Sequence, residues 1–442
     1  MEPFASSSPE APSKVLFVAL TDNVGMERLP AAMASHGLAS AVMSPPGFYC
    51  ARTRFLTRRF ALPRHCRMWL GAPFLRPRLE GVVRSWKPDL IVPLDDLASW
   101  LLRRVLASQS ASDALLLLLE ASFGAPEGYL AHCSRIELLR VASALGVRTP
   151  PYRAVDNEAA AMRAAEAWGY PVVLKAEHSC GGCGVTIVRG PEALRAAMSA
   201  SRSINLVARF RTAGKYRMWE LAGLTGLSTM PPILQAFAPG KPAMRTVLAW
   251  RGRVIDGISF TAEHVHPEPT GASTMVRYVE NLDMDMAAEA LVKALGASGF
   301  LSLDFMLDEH HGHAHLIEMN SRPIGTTHLG RMFGHDLCGA LAALLRGKPV
   351  TPYCPNEDRS RAVALFPKEL ERDPSCLGRF QSNEILHDVP HDDPAVISAY
   401  LRRLACIHPG AIGAMTRLVN PPGVRLTPAP DRTLRLSMES MR

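Results

Sequence analysis

The segment from Phe300 to Arg322, FLSLDFMLDEHHGHAHLIEMNSR, restricts the fold more than any other part of the chain. Apolar and polar residues alternate over 300–307 and again over 314–320, and a period of two is typical of β-strands. A short polar stretch containing Gly312 separates the two runs and suits a tight turn. The segment therefore predicts an antiparallel β-hairpin.

One face of this hairpin carries carboxylate and amide groups. A turn centred near His311 pairs Asp304 directly with Glu318, with their Cβ atoms about 4.5–5.5 Å apart. Two carboxylates so placed repel each other unless a cation lies between them, and Asn320 adds a third oxygen to the same patch. Hard oxygen ligands of this kind predict a Mg²⁺ site. The residues expected on this face are Ser302, Asp304, Met306, Leu316, Glu318 and Asn320.

Arg322 follows this patch and can bind an anion held by the metal. A simpler interpretation is a hairpin whose polar face is only solvated. The histidines near the turn also suggest a zinc site, but they cluster without a second set of ligands and are more typical of a solvated turn. These histidines are His310, His311, His313 and His315.

A second motif begins with Lys175, which closes the strand-like run YPVVLK and is followed by HSCGGCGV. Gly181, Gly182 and Gly184 allow backbone amides to approach phosphate oxygens closely, and the ammonium of Lys175 can neutralise phosphate charge. The loop lacks the Gly-Lys-Ser/Thr ending of a Walker A motif. The pattern predicts a phosphate-binding loop, with a plain glycine-rich hairpin as the alternative.

The same loop holds Cys180 and Cys183 in a CxxC arrangement. A thioredoxin-like CxxC lies at the start of a helix in a βαβ unit, whereas this one lies between two strands. A zinc ribbon would need a second CxxC, and the sequence has none. We therefore disfavour a redox or zinc function for this pair.

Alternation of short apolar runs with helical spacing predicts a small doubly wound α/β domain over residues 14–120. No Gly-x-Gly-x-x-Gly follows its first strand, so a dinucleotide site is poorly supported there. From Pro171 onwards the strand-like runs, separated by some helical patterns, predict an antiparallel α+β arrangement. Residues 1–13 lack the pattern of a secretory signal and are expected to be disordered.

Lys175 with its glycine loop, followed about 130 residues later by Asp304 and the run Glu318-x-Asn320-x-Arg322, resembles the ATP-grasp superfamily. The likeness is greatest to its carbamoyl-phosphate-synthetase-like and L-amino-acid-ligase-like branches. It implies a pre-ATP-grasp domain (14–120), a two-subdomain ATP-grasp domain (121–347, with a lid at about 150–235) and a small C-terminal domain (348–442).

The resemblance also implies roles for individual residues. ATP would contact Arg135, which stands where relatives have a lysine, and Lys175, while the glycine loop would cover the phosphates. The hinge strand would read adenine through its backbone at Gln235, Ala236 and Phe237. The hinge lacks the acidic residue that relatives use to hold the ribose. Asp304, Glu318 and Asn320 would hold Mg²⁺, or alternatively Mn²⁺, and Arg322 would be catalytic.

The expected reaction is ATP-dependent joining of a carboxylate to an amine through an acyl phosphate, with phosphoryl transfer aided by positioning and electrostatics. One alternative is activation of bicarbonate, as in biotin-carboxylase-like or carbamoyl-phosphate-like relatives, although no biotinyl-lysine segment or amidotransferase region is recognised. Another alternative is an ATP-binding module without catalysis. The expected partners are a small carboxylate and a small amine, and a homodimer is compatible with them.

The net charge of +8 first suggests nucleic-acid binding. Residues 51–90 contain ten Lys and Arg against two acids, so the excess belongs to one local segment. We interpret that segment as surface or as a site for an acidic substrate, and consider nucleic acid a minor alternative. Substrate selection is expected in the N-terminal domain and in a loop over His264–Met275. Nine scattered cysteines and no apolar run of membrane-spanning length favour a cytoplasmic protein.

Overall fold

The computed structural model describes residues 12–63, 71–176, 184–202, 231–353, 359–376 and 385–419. Within these ranges the chain forms three β-sheets, one of them parallel and the others mainly antiparallel. No described helix is long and apolar enough to cross a membrane.

The first sheet is parallel and has the order β3-β2-β1-β4. Alternate residues of β1 enter two different cores, with Phe17 on one face of the sheet and Leu16 on the other. Burial of both faces explains the unbroken apolar run of this strand. The elements of this part are β1 (Lys14–Val18), α1 (Arg28–Ala34), β2 (Ala39–Ser44), β3 (Arg58–Ala61), α2 (Gly71–Trp86), β4 (Leu90–Pro93), α3 (Asp96–Ala107) and α4 (Asp113–Phe123).

The second sheet is antiparallel, has the order β5-β8-β6-β7 and is covered on one face by two helices. Asn157 caps the first of these helices by accepting a hydrogen bond from the Ala160 amide, and Gly169 ends it with a φ of +82°. The elements are α5 (Tyr129–Cys133), α6 (Arg135–Ala144), β5 (Tyr152–Ala154), α7 (Glu158–Trp168), β6 (Val172–Lys175), β7 (Val185–Val188), α8 (Pro191–Arg202) and β8 (Ile233–Ala236).

The third sheet has seven strands in the order β13-β12-β9-β10-β11-β14-β15. Its elements are β9 (Lys241–Trp250), β10 (Arg253–His266), β11 (Ala272–Tyr278), α9 (Leu282–Ala294), β12 (Gly299–Leu307), β13 (Ala314–Asn320), α10 (Leu337–Leu345), β14 (Ala362–Ala364), α11 (Lys368–Arg372), β15 (Ile385–His387), α12 (Pro394–Ile407) and α13 (Ile412–Val419).

This large sheet packs on both faces. Helix α9 covers one face, where Leu291 joins Leu301 and Leu303 in a buried cluster. On the other face Leu248 and Phe260 share a cluster with residues of β1, α1 and α10. The N-terminal α/β unit and the central sheet therefore share one apolar core, which fixes the loops of the first against the strands of the second.

The large sheet differs from the sequence-based predictions in two places. The sequence predicts a loop over His264–Met275, but β10 continues to His266 and β11 begins at Ala272, so only residues 267–271 turn. Pairing of the two strands satisfies their backbone hydrogen bonds and favours this longer hairpin. In addition, β14 and β15 lie beyond residue 347 and extend the same sheet, so the expected boundary at 347/348 precedes strands that belong to it.

Candidate active site

The acidic hairpin forms with the expected pairing. Asp304 on β12 lies opposite Glu318 on β13, and Ser302 lies opposite Asn320. The Asn320 side-chain amide donates a hydrogen bond to Asp304 Oδ2 at 2.9 Å. The predicted register around the two carboxylates is confirmed, and it brings Asp304, Glu318 and Asn320 to one patch at the end of the sheet.

The pairing shifts by one residue immediately beyond the carboxylates. Asp304 pairs with Glu318, whereas Phe305 pairs with Leu316, so Ile317 is the extra residue of a β-bulge. One extra residue reverses which face the following side chains occupy. Leu316 is fully buried in the cluster that contains Phe305, so its expected place on the acidic face is wrong. The bulge confines the polar patch to the last residues of β13.

The carboxylates have different electrostatic surroundings. Burial and the negative charge of Glu318 raise the pKa of Asp304 from 3.8 to about 7, against the opposing influence of Arg322. Glu318 is paired instead with Arg135, whose Nη2 lies 2.9 Å from Glu318 Oε1. The patch therefore holds closely spaced negative charge that is only partly neutralised by the protein.

Two buried cations lie beside this patch. Lys175, the last residue of β6, is 6% exposed, and Arg135, the first residue of α6, is 8% exposed. Arg135 Nη1 donates to the Ala176 carbonyl at 2.9 Å, which ties the second sheet to the hairpin. Burial, followed by the charge of Arg135, lowers the pKa of Lys175 to about 8, although Glu318 and Asp304 act in the opposite direction. Two adjacent buried cations of this kind are suited to bind phosphate.

Only the end of the glycine loop is described. The Ala176 amide donates to the Gly184 carbonyl at 2.9 Å, so the antiparallel contact of β6 with β7 continues one residue beyond Lys175. Gly184 has a φ of +74°, a conformation that glycine adopts without strain. Gly181, Gly182 and the CxxC pair lie outside the described residues.

The expected hinge is strand β8, which lies between β5 and β6. Gln235 is 2% exposed, and its Nε2 has no hydrogen-bond partner within the described part of the chain. Ala236 ends the strand, and Phe237 follows with 38% of its surface exposed. An exposed aromatic ring beside a buried amide is compatible with a binding surface for a flat ring.

Arg322 makes a two-point ion pair across the molecule. Its Nε and Nη2 lie 2.7 Å from Oδ1 and Oδ2 of Asp96, the first residue of α3. Nη2 also donates to Asn320 Oδ1 at 3.1 Å. A continuous chain of hydrogen bonds therefore connects the N-terminal unit to the acidic hairpin. It runs from Asp96 through Arg322 and Asn320 to Asp304.

Comparison with known proteins agrees with this geometry. A family model described as the ATP-binding domain of the carbamoyl-phosphate synthase L chain matches residues 135–212, a range that contains both Arg135 and Lys175. The D-alanine–D-alanine ligase of Geobacter sulfurreducens is 28% identical over 193 residues, which are 43% of this chain and 55% of the relative. That match spans about half the length of the curated relative.

Solved structures give the same fold. The biotin carboxylase domain of Hydrogenobacter thermophilus 2-oxoglutarate carboxylase has a TM-score of 0.56 and 17% identity, covering 80% of this chain and 73% of that one. The N5-carboxyaminoimidazole ribonucleotide synthetase of Thermus thermophilus has a TM-score of 0.52 and 16% identity, covering 77% and 80%. The family model and the relative together indicate the ATP-grasp superfamily, and the solved structures agree in fold.

One residue of this candidate site was missed by sequence reasoning. The sequence shows Asp95 and Asp96 only as paired acids after a strand, and the structure separates them. Asp95 caps α3 and accepts from the Leu20 amide at 2.6 Å, whereas Asp96 holds Arg322. The available signal was their position at the carboxyl end of a parallel strand, where ligands of open α/β sheets bind.

The residues of the acidic hairpin fit Mg²⁺ by the chemistry of their donor set. Asp304 and Glu318 lie opposite each other, and a bound cation would offset the burial and the charge of Glu318, which together raise the pKa of Asp304. Asn320 supplies an amide oxygen that now accepts from Arg322. Among the described residues no group of three or more His, Cys, Asp or Glu is arranged for a metal.

Two of the histidines near the turn contact acidic side chains close to them. His311 Nδ1 lies 2.7 Å from Asp308 Oδ2, and His313 Nδ1 lies 3.5 Å from Asp283 Oδ2. Both histidines are well exposed, and they lie at the end of the hairpin opposite to Asn320. These contacts stabilise the turn.

Proposed function

We propose that this protein is an ATP-dependent carboxylate–amine ligase that works through an acyl phosphate. The observation that carries the proposal is the contact of Arg135 with both Glu318 and the backbone after Lys175. That contact puts buried cations suited to phosphate next to carboxylates suited to Mg²⁺. Similarity to a D-alanine–D-alanine ligase supports amide-bond formation in preference to other ATP-grasp chemistry.

In the proposed reaction a carboxylate oxygen of the first substrate attacks the γ-phosphorus of ATP, and the bond from that phosphorus to the β–γ bridging oxygen breaks to release ADP. The nitrogen of the amine then attacks the carbonyl carbon of the acyl phosphate. The carbon–oxygen bond to phosphate breaks, inorganic phosphate leaves and the amine loses a proton. Mg²⁺ bound at the hairpin would neutralise charge on the phosphates of ATP.

Each residue has a defined task in this scheme. Lys175 and Arg135 hold phosphate oxygens with charges that burial keeps from water, which strengthens the interaction. Asp304, Glu318 and Asn320 are the residues that would hold Mg²⁺. Arg322 is held by Asp96 with both carboxylate oxygens. This two-point contact fixes the plane of the guanidinium, so that its positive charge can orient the carboxylate or acyl phosphate.

Bicarbonate activation is the second candidate, because solved structures with the same fold include a biotin carboxylase domain bound to MgADP and bicarbonate. The two candidates differ in the acid that receives the phosphoryl group. We propose that the reaction takes place in the cytoplasm. Its substrates besides ATP are a small carboxylate and a small amine. A homodimer stays a prediction, which light scattering of the purified protein can test.

The test measures ADP release from ATP and Mg²⁺ across a panel of carboxylates, bicarbonate included, each with and without a panel of amines. Amine-dependent ADP release with an amide product supports the ligase. Glu318→Gln should abolish that turnover, while Glu309→Gln, in the turn of the same hairpin, should retain it. Bicarbonate-dependent turnover without an amine would favour the second candidate, and turnover that is equal in Glu318→Gln would overturn both.

A further inference from the structure

Three distant segments meet beyond the carboxyl ends of β1 and β4. A methyl group added to Gly25 would lie 3.3 Å from the Gly325 Cα, so these two backbones are in contact. The Gly25 amide donates to the Tyr400 hydroxyl at 3.1 Å. Arg28 donates to the Asp388 carbonyl at 2.8 Å. The loop after β1, the loop after β13 and the C-terminal segment are therefore joined at one place.

This place coincides with the topological switch point of the N-terminal sheet. The chain runs from β1 outward to β2 and β3 and then returns to the other side of β1 as β4. Loops after β1 and β4 leave in opposite directions and create a crevice, which is where open α/β sheets bind their ligands. Asp96 and its partner Arg322 lie at this crevice, on the loop side of β4.

Lys368, the first residue of α11, brings its ammonium to the same crevice. A methyl group added to Gly325 would lie 3.4 Å from Lys368 Nζ, so the ammonium lies beside the backbone of Gly325. Within the described part of the chain Lys368 makes no hydrogen bond or ion pair. Burial, with the nearby charge of Arg322, lowers its pKa, although Glu371 and Glu27 act against this.

The acids near Lys368 already have closer partners. Arg403 Nη2 donates to Glu371 Oε2 at 3.0 Å, and the Gly25 amide donates to Glu27 Oε2 at the same distance. Asp388 Oδ1 lies 2.9 Å from His328 Nε2. The ammonium of Lys368 therefore forms no ion pair with a carboxylate of the described residues.

We propose that Lys368 binds a second anionic group, a carboxylate or phosphate, of a substrate that lies in this crevice between Arg322 and the C-terminal segment. The inference rests on the proposed function, since Arg322 would orient the reacting group while Lys368 holds the far end of the same molecule. The proposed substrates are acids or amines that carry a carboxylate or phosphate in addition to the group that reacts. Lys368 is then a residue that determines specificity.

The test compares probes that differ by one anionic group. Succinate with succinamate, and O-phosphoserine with serine, are titrated calorimetrically into the wild-type protein in the presence of MgADP. We expect at least one dianionic probe to bind at least tenfold more tightly than its neutral-ended partner. Lys368→Gln should remove that tenfold difference, whereas Lys368→Arg should retain most of it.

Lys348→Gln is the matched control, because Lys348 is an exposed lysine away from the crevice. Its binding should equal that of the wild type. The two probe pairs distinguish a carboxylate from a phosphate as the preferred group. Absence of any dianion preference in the wild type, or the same preference in Lys368→Gln, would overturn the proposal, and so would a loss of thermal stability in Lys368→Gln without a change in binding.

The outcome is separable from that of the ligase proposal. Dianion binding that depends on Lys368, in a protein that releases no ADP with any substrate pair, would overturn the ligase and leave the anion site in place. Amine-dependent ADP release, together with an affinity for acids that does not depend on Lys368, would support the ligase and overturn the anion site.

Discussion

Replacing Asp304 by asparagine should stabilise the metal-free protein and at the same time weaken its response to magnesium and ATP. The introduced amide keeps an oxygen that can accept the hydrogen bond from Asn320, which spans 2.9 Å in the wild type. The substitution removes only the negative charge that faces Glu318 across the hairpin.

The size of the effect follows from the pKa of Asp304, which rises from 3.8 to about 7 in the folded protein. Between these values the folded state binds more protons than the unfolded state, so the stability contributed by this group falls as the pH rises. Each unit of pKa corresponds to about 1.4 kcal/mol. Above pH 7 the ionised carboxylate therefore costs up to about 4 kcal/mol, and at pH 4.5 about 1 kcal/mol.

Urea unfolding of the metal-free wild type and Asp304→Asn, at pH 8 and at pH 4.5, measures this difference directly. We expect the variant to be more stable at pH 8 by up to about 4 kcal/mol, with relaxation of the structure reducing the figure, and the advantage to shrink at pH 4.5. Adding Mg²⁺ and ATP should raise the thermal midpoint of the wild type more than that of the variant.

Asp308 in the turn of the same hairpin provides a control of opposite sign. Hydrogen bonds from the His311 side chain and the His310 amide lower its pKa to about 2, so Asp308→Asn should lose stability rather than gain it at pH 8. A variant at Asp304 that is less stable than the wild type at pH 8 without metal, or a gain that does not depend on pH, would refute the reasoning.

Lys175→Met should raise the KM for ATP and reduce kcat by about 10²-fold in the ADP-release assay, because a preorganised buried charge is lost, and Lys175→Arg should be less impaired. Asp96→Asn should reduce the free energy of unfolding by about 1–3 kcal/mol in urea, since it leaves Arg322 without its paired carboxylate. Gly124→Ala should lower stability by more than about 2 kcal/mol, since its methyl would lie 2.1 Å from a backbone carbonyl oxygen at a φ of +88°. Gly146→Ala, also at positive φ but with nothing within 4 Å, should cost less, and thermal unfolding compares the two.

Local pattern was enough to predict the main elements around the site. Alternation on both arms of the hairpin, with glycine between them, gave the pairing of Asp304 with Glu318. Gly169 ends α7 with a φ of +82°, a backbone conformation that glycine adopts without strain. These features depend on residues close in sequence.

The bulge was not predictable because Leu316 and Ile317 are both large and apolar. Either can enter the core, so the pattern contains no mark of the extra residue, and packing around Phe305 decides the matter. The partner of Arg322 was missed for a different reason. Asp96 lies 226 positions away in sequence, and its neighbour Asp95 is chemically identical, so only the tertiary fold separates a helix cap from a partner of the site.

The two short strands at the end of the large sheet have a consequence for dissecting this protein. Strand β14 covers the outer edge of β11, and β15 in turn covers β14. A chain shortened after α10, at the boundary that sequence alone suggested, would expose the backbone donors and acceptors of β11 to solvent. Bare edges of this kind recruit strands from other molecules. Such a fragment would self-associate even with every residue of the acidic hairpin intact.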